Sequence, residues 1–108
     1  MNFDINNVVD EMLSVIKGTV TDNWKEVKPV AEQFFQRRKE RLELLAELRI
    51  TGELGQEKFE SRLFDEKLIV EAELNAIAVI SKAIAQKATN AAIDIFQKAV
   101  IKAISTVL

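Results

Sequence analysis

Residues 74–108 contain neither glycine nor proline, and 22 of these 35 residues are apolar, among them nine alanines and seven isoleucines. Alanine gives up no side-chain entropy in a helix, and nothing in the stretch interrupts a hydrogen-bond ladder, so it is predicted to be helical. Its apolar residues are too numerous for one narrow stripe. Ile77, Ala78, Ile84, Ala85, Ala88, Ala92, Ile95, Phe96, Ala99, Ala103 and Val107 fall on one face at a 3.6-residue period, while Val79, Ile80, Ile93, Val100, Ile101 and Ile104 fall on other sides. A helix that is apolar nearly all round needs partners on more than one face. The rest of the chain, with or without a second copy, has to supply them.

The remainder of the sequence offers helices for that purpose. Ile5, Val8, Val9, Met12, Leu13 and Ile16 mark an amphipathic helix over residues 3–17, with Asn2 or Asp4 as its cap. Gly18 is either its stop or a weak point within a longer helix. A second helix is expected over 22–50. Pro29 either opens it or kinks it, and Ala31, Phe34, Phe35, Leu42, Leu45 and Leu48 form its buried side together with Arg38. Thr51-Gly52-Glu53-Leu54-Gly55 is the clearest turn, with Gly52 suited to a left-handed cap. Beyond it, Phe59, Leu63, Val70, Leu74 and Ile77 recur at near-heptad spacing, predicting a helix over 56–88 and a last one over 90–107.

Folding back at Gly52 pairs residues whose numbers sum to about 107, which brings Leu48 to Phe59, Leu45 to Leu63, Ala31 to Ile77 and Arg41 to Glu66. Residues 56–108 as one helix would run about 80 Å, far beyond a compact domain of this length. Either the helix breaks, with Thr89-Asn90 the expected place, or the molecule is elongated and assembled from copies. Charge favours packing of one arm on the other. Residues 1–73 carry net −5 and residues 74–108 net +3. One proline and three glycines leave too few turns for an all-β fold. The fold class expected is therefore all-α: an antiparallel hairpin extended to a bundle of about four helical segments, forming one domain over 1–108 and assembled as a homo-oligomer.

The missing residue types narrow the chemistry. There is no His, Cys or Tyr, which removes the usual base near neutral pH, the thiol nucleophile and the usual zinc ligands. Ser14, Ser61, Ser81 and Ser105 have no His to activate them. Gly18, Gly52 and Gly55 do not have the spacing of a phosphate loop. No catalytic residue, metal ligand or cofactor site is assigned, and an enzyme is not expected. Glu40, Glu43 and Glu47, facing Asp65, Glu66, Glu71 and Glu73, offer a carboxylate-lined interior for a metal or small ligand as one alternative, although the Glu-x-x-His pair of di-metal bundles is missing. Arg37, Arg38, Lys39 and Arg41 form the densest basic run, but Glu40 and Glu43 interrupt it and the chain is acidic overall, so salt bridging is preferred to nucleic acid. Trp24, Phe34 and Phe35 read as core rather than as a binding box.

The leading expectation is a non-enzymatic structural or interaction module that self-associates through Ile77, Ile84, Ala88, Ala92, Ile95, Phe96 and Ala99. A second alternative is a membrane-surface protein that lays Lys82, Lys87, Lys98 and Lys102 and the adjoining apolar face on anionic lipid. The longest uncharged run in the apolar third, Leu74 to Ser81, is too short to span a bilayer. With an acidic N-terminal stretch in place of a basic leader, a cytoplasmic protein is expected. In length and layout the chain resembles small helical hairpins of the WXG type. Their Trp-x-Gly motif sits at the turn, whereas here the turn is Thr51 to Gly55 and the only tryptophan is Trp24. No family is assigned.

Overall fold

A computed structural model describes residues 3–107. Four α-helices run in chain order: α1 (Ile5–Val20), α2 (Trp24–Ile50), α3 (Gln56–Asn75) and α4 (Lys82–Val107), with a 3-10 turn (Thr21–Asn23) joining the first two. Among the described residues there is no strand, and the all-α class holds.

Local signals fix most of the helix ends. The Asp4 carboxylate caps α1, accepting from the amides of Asn6 at 3.0 Å and Asn7 at 3.4 Å. Asn2, the other candidate cap, lies outside the described residues. Gly18 does not stop α1, which runs three residues past the predicted end and closes where Thr21 takes φ 50. Pro29 sits inside α2, so the second of its two predicted placements is the observed one. Gly52 takes φ 84 at the hairpin turn. The Leu54 amide then reaches back to the Leu48 carbonyl at 2.9 Å, and the Leu54 side chain is buried over the end of the core.

The predicted break near Thr89-Asn90 is wrong, and so are the helices 56–88 and 90–107 drawn from it. Thr89 lies in the middle of α4 and is fully buried, while the chain turns at 76–81. No Gly or Pro marks the turn. Ile77, Val79 and Ile80 are β-branched and lose rotamer freedom in a helix. The Ile77 amide donates to the Leu74 carbonyl at 3.1 Å and the Ile80 amide to the Ile77 carbonyl at 2.9 Å. Ser81 then caps α4, its hydroxyl accepting from the Ile84 amide at 3.2 Å.

Two tight connectors at one end and the Gly52 hairpin at the other give an up-down-up-down bundle. Packing runs round the ring, α1 on α2, α2 on α3, α3 on α4 and α4 on α1. The fold measures 43 × 23 × 20 Å with a radius of gyration of 13.8 Å, and its long axis is set by α2, whose 27 residues make about 40 Å. Phe35, Phe59, Phe96, Met12, Ile16 and Leu42 fill the centre. Phe3 meets Phe96 edge-on at 6.0 Å, and Phe34 meets Phe35 at 5.2 Å in the same manner. Phe34 and Phe35 are core, as expected, and Trp24 is half-buried against it.

Candidate interaction surface

The α2–α3 hairpin holds the most polar chemistry of the bundle. The expected register brings Arg41 to Glu66, Nε to carboxylate at 3.1 Å. Arg38 reaches the same carboxylate and donates to both of its oxygens at 2.8 and 2.7 Å. Glu66 is buried, so two guanidinium groups neutralise one inward carboxylate. Arg37 pairs with Glu73 at 3.3 Å, and Lys39 donates to the Asn6 side chain at 2.8 Å. The basic run 37–41 is thus engaged by α3 and α1, in line with the salt-bridging expectation.

Among the described residues no group of three or more acidic side chains is placed to hold a metal. Glu66 is the one buried carboxylate, and its oxygens already accept three guanidinium hydrogen bonds.

The seven residues assigned to self-association are brought together, but inward. Ala88, Ala92 and Phe96 have no exposed surface, and Ile77, Ile84, Ile95 and Ala99 are half-buried against the core. The three buried ones cannot form an interface without opening the bundle. The buried wedge of α4 is also rotated from the predicted face and includes Ile93 and Val100. The cause is that α4 packs on two neighbours, so both flanks of the helix are used. The membrane alternative meets the same obstacle, because the apolar face of α4 lies against α1 and α3. Among the described residues, no helix is long and apolar enough to cross a membrane.

Apolar surface is exposed elsewhere. Phe64 is 56% exposed and Leu68 50%, one turn apart on the outer side of α3. Phe64 borders α4, beside Ile93 and Gln97, whereas Ile69 and, across on α2, Leu44 are exposed on the other flank of α3. Leu44, Leu48 and Ile69 line a shallow groove of about 430 Å³ between the two helices, rimmed by Arg41, Arg62, Asp65 and Glu66. A second hollow of about 570 Å³ lies between α1 and α4, bordered by Asp4, Glu11, Lys98 and Lys102. The sequence reading missed the α3 face. Its signal was the pair Phe64 and Leu68, spaced i, i+4 and off the Phe59-Leu63-Val70-Leu74 stripe.

No family model, curated protein or solved structure matches the chain.

Proposed function

We propose that the protein is a non-enzymatic helical interaction module that self-associates through the outer face of the α2–α3 hairpin, not through its alanine-rich last helix. The observation that carries the reading is the exposure of Leu44 and Ile69 along the α2–α3 groove, with Leu68 exposed on the adjoining outer side of α3. Large apolar side chains clustered on a surface mark contact sites. Charge supports a second copy as the occupant. A two-fold interface sets the same patch against itself, so a patch of one sign would repel. Here the groove rim carries two arginines and two carboxylates and is balanced. A cytoplasmic setting goes with this reading.

Light scattering after size exclusion, over a range of concentrations, tests it. The expected result is a mass above one chain at micromolar concentration that falls to one chain in the Leu44→Ser/Ile69→Ser double variant. A wild-type mass of one chain at every concentration overturns the proposal. So does an assembly that the double variant leaves intact.

A further inference from the structure

One strained residue folds α1 back against the bundle. Thr21, between α1 and α2, takes φ 50 and ψ −110, and among the described residues it is the only non-glycine residue with positive φ. These angles are close to those of the first central residue of a type II′ turn, a position that favours glycine. A β-branched side chain suits it poorly, so the turn stores strain. The residues around Thr21 are helical already. Val20 sits in the right-handed region at φ −83 and ψ −16, and Trp24 at φ −58 and ψ −35, with Asp22 and Asn23 in the 3-10 turn between. Changing Thr21 alone to helical angles joins α1 to α2 as one helix over residues 5–50, about 70 Å long. Pro29 is no obstacle, because it lies inside α2 in either form.

A straightened chain is incomplete by itself. α1 packs on α2 and α4, and its Val8, Val9, Met12 and Ile16 share the core with Ala88, Ala92 and Phe96 of α4. Swinging α1 away uncovers both sides at once, and only an identical helix restores the same contacts. We infer that two copies of the chain exchange their first helices about Thr21, each α1 completing the bundle of the other copy. A short connector under strain invites such an exchange, since every core contact is kept while the strain is released.

The end of the bundle that holds the hinge suits a second copy. Both short connectors lie opposite Gly52, so two chains with straightened first helices meet end to end there. Connecting turns at a surface are usually more polar than this one: Ala76 to Ile80 carries no polar side chain, and Val79 is 47% exposed. In the exchanged pair the apolar turn faces its twin. The charges around it are mixed in sign, Lys17, Lys25, Lys28, Lys82 and Lys87 with Asp22, Glu26, Glu71 and Glu73, so neither end presents a block of one charge to the other. The exchange goes beyond association through the α2–α3 groove, which lies on the side of the bundle, and it leaves α4 in the core.

Refolding from urea at high protein concentration tests the inference, with the products separated by size exclusion and measured by light scattering and small-angle X-ray scattering. The full chain carries Leu44→Ser/Ile69→Ser, which removes the groove contact from the readout. The expected product is a dimer with a longest dimension about twice the 43 Å of one chain. It should persist on dilution, because exchange back requires opening the core. Thr21→Gly accepts the positive φ without strain and should lower the dimer yield at least about fivefold. Thr21→Val keeps the β-branch and should leave the yield unchanged. Unchanged helicity by circular dichroism checks that the variants fold. Refolding that gives only single chains overturns the inference. So does a dimer no longer than one chain, or a dimer whose yield Thr21→Gly does not lower. None of these failures touches the groove reading, which is measured on protein that has not been unfolded and reverses on dilution.

Discussion

Arg38 bridges both oxygens of Glu66 across the α2–α3 interface, at 2.8 and 2.7 Å, with the Glu66 side chain only 6% exposed. A pair placed this deeply costs desolvation on both sides, so its presence is weak evidence of net stabilisation. Removing one member is a different matter, because the other charge is then left partly buried. Glu66→Ala is expected to lower stability by about 2–3 kcal/mol, below the usual 3–5 because Arg38 retains some contact with water. Arg38→Met/Glu66→Leu should stay within about 1 kcal/mol of the wild type. Urea denaturation of the three proteins measures both effects. The exposed Arg41 contact should matter little, and Arg41→Ala is expected to change stability by less than about 1 kcal/mol.

Thr89 is fully buried in the middle of α4, and its hydroxyl has no hydrogen-bond partner. Three other helical hydroxyls, those of Thr19, Ser105 and Thr106, bond back to the preceding turn. Thr19 donates to the Val15 carbonyl at 2.9 Å and Thr106 to the Lys102 carbonyl at 2.8 Å. An unsatisfied buried hydroxyl carries its desolvation cost without return, and valine has the same shape without the polar atom. Thr89→Val is therefore expected to raise stability by about 1 kcal/mol, read as a higher urea midpoint at unchanged slope. A loss of stability would mean that the hydroxyl has a partner, such as a buried water.

The same residue shows where sequence reading reached its limit. Thr89-Asn90 is polar within an apolar stretch, so local propensity made it the natural break. Tertiary packing overrides that choice, because a helix over 56–88 would outrun the 27 residues of α2, which it must pair with. The real turn at 76–81 had one legible sign, Ser81 ahead of a helix-forming run. The missing glycine and proline concealed it, and the apolar Ile80 reads as helix face until its role as a plug is seen. The Arg41–Glu66 register was legible because a short loop dictates its neighbours. The exposed Phe64-Leu68 pair was not, since exposure depends on which helix lies alongside. Periodicity identifies an apolar face but does not say whether a cis helix already covers it, and this is why Ala88, Ala92 and Phe96 were assigned outward.

Two glycines should respond in opposite directions to the same change. Gly18 is helical, and a Cβ there would meet nothing within 4 Å. Gly18→Ala should stabilise the protein by about 0.5–1 kcal/mol, since alanine loses less backbone entropy on entering a helix. Space around Gly52 is equally open, but its φ of 84 strains any side chain. Gly52→Ala should cost about 1 kcal/mol. Paired thermal melts decide the matter: shifts of the same sign at both sites would mean that α1 does not continue through Gly18.

Phe96 and Ile101 separate the two roles available to the apolar last helix. Phe96 is fully buried with the ring of Phe3 set edge-on against it, whereas Ile101 is 56% exposed five residues further along α4. If α4 acts as core, as the packing requires, Phe96→Ala removes a large ring from a filled interior and should cost about 3–4 kcal/mol. Ile101→Ala should remain within about 0.5 kcal/mol. Both effects should hold at any protein concentration, because they act within one chain. Denaturation at two concentrations, with light scattering on the same samples, checks this. A Phe96→Ala protein that keeps its stability but loses assembly would return the contact surface to the last helix and remove the case for the α2–α3 face.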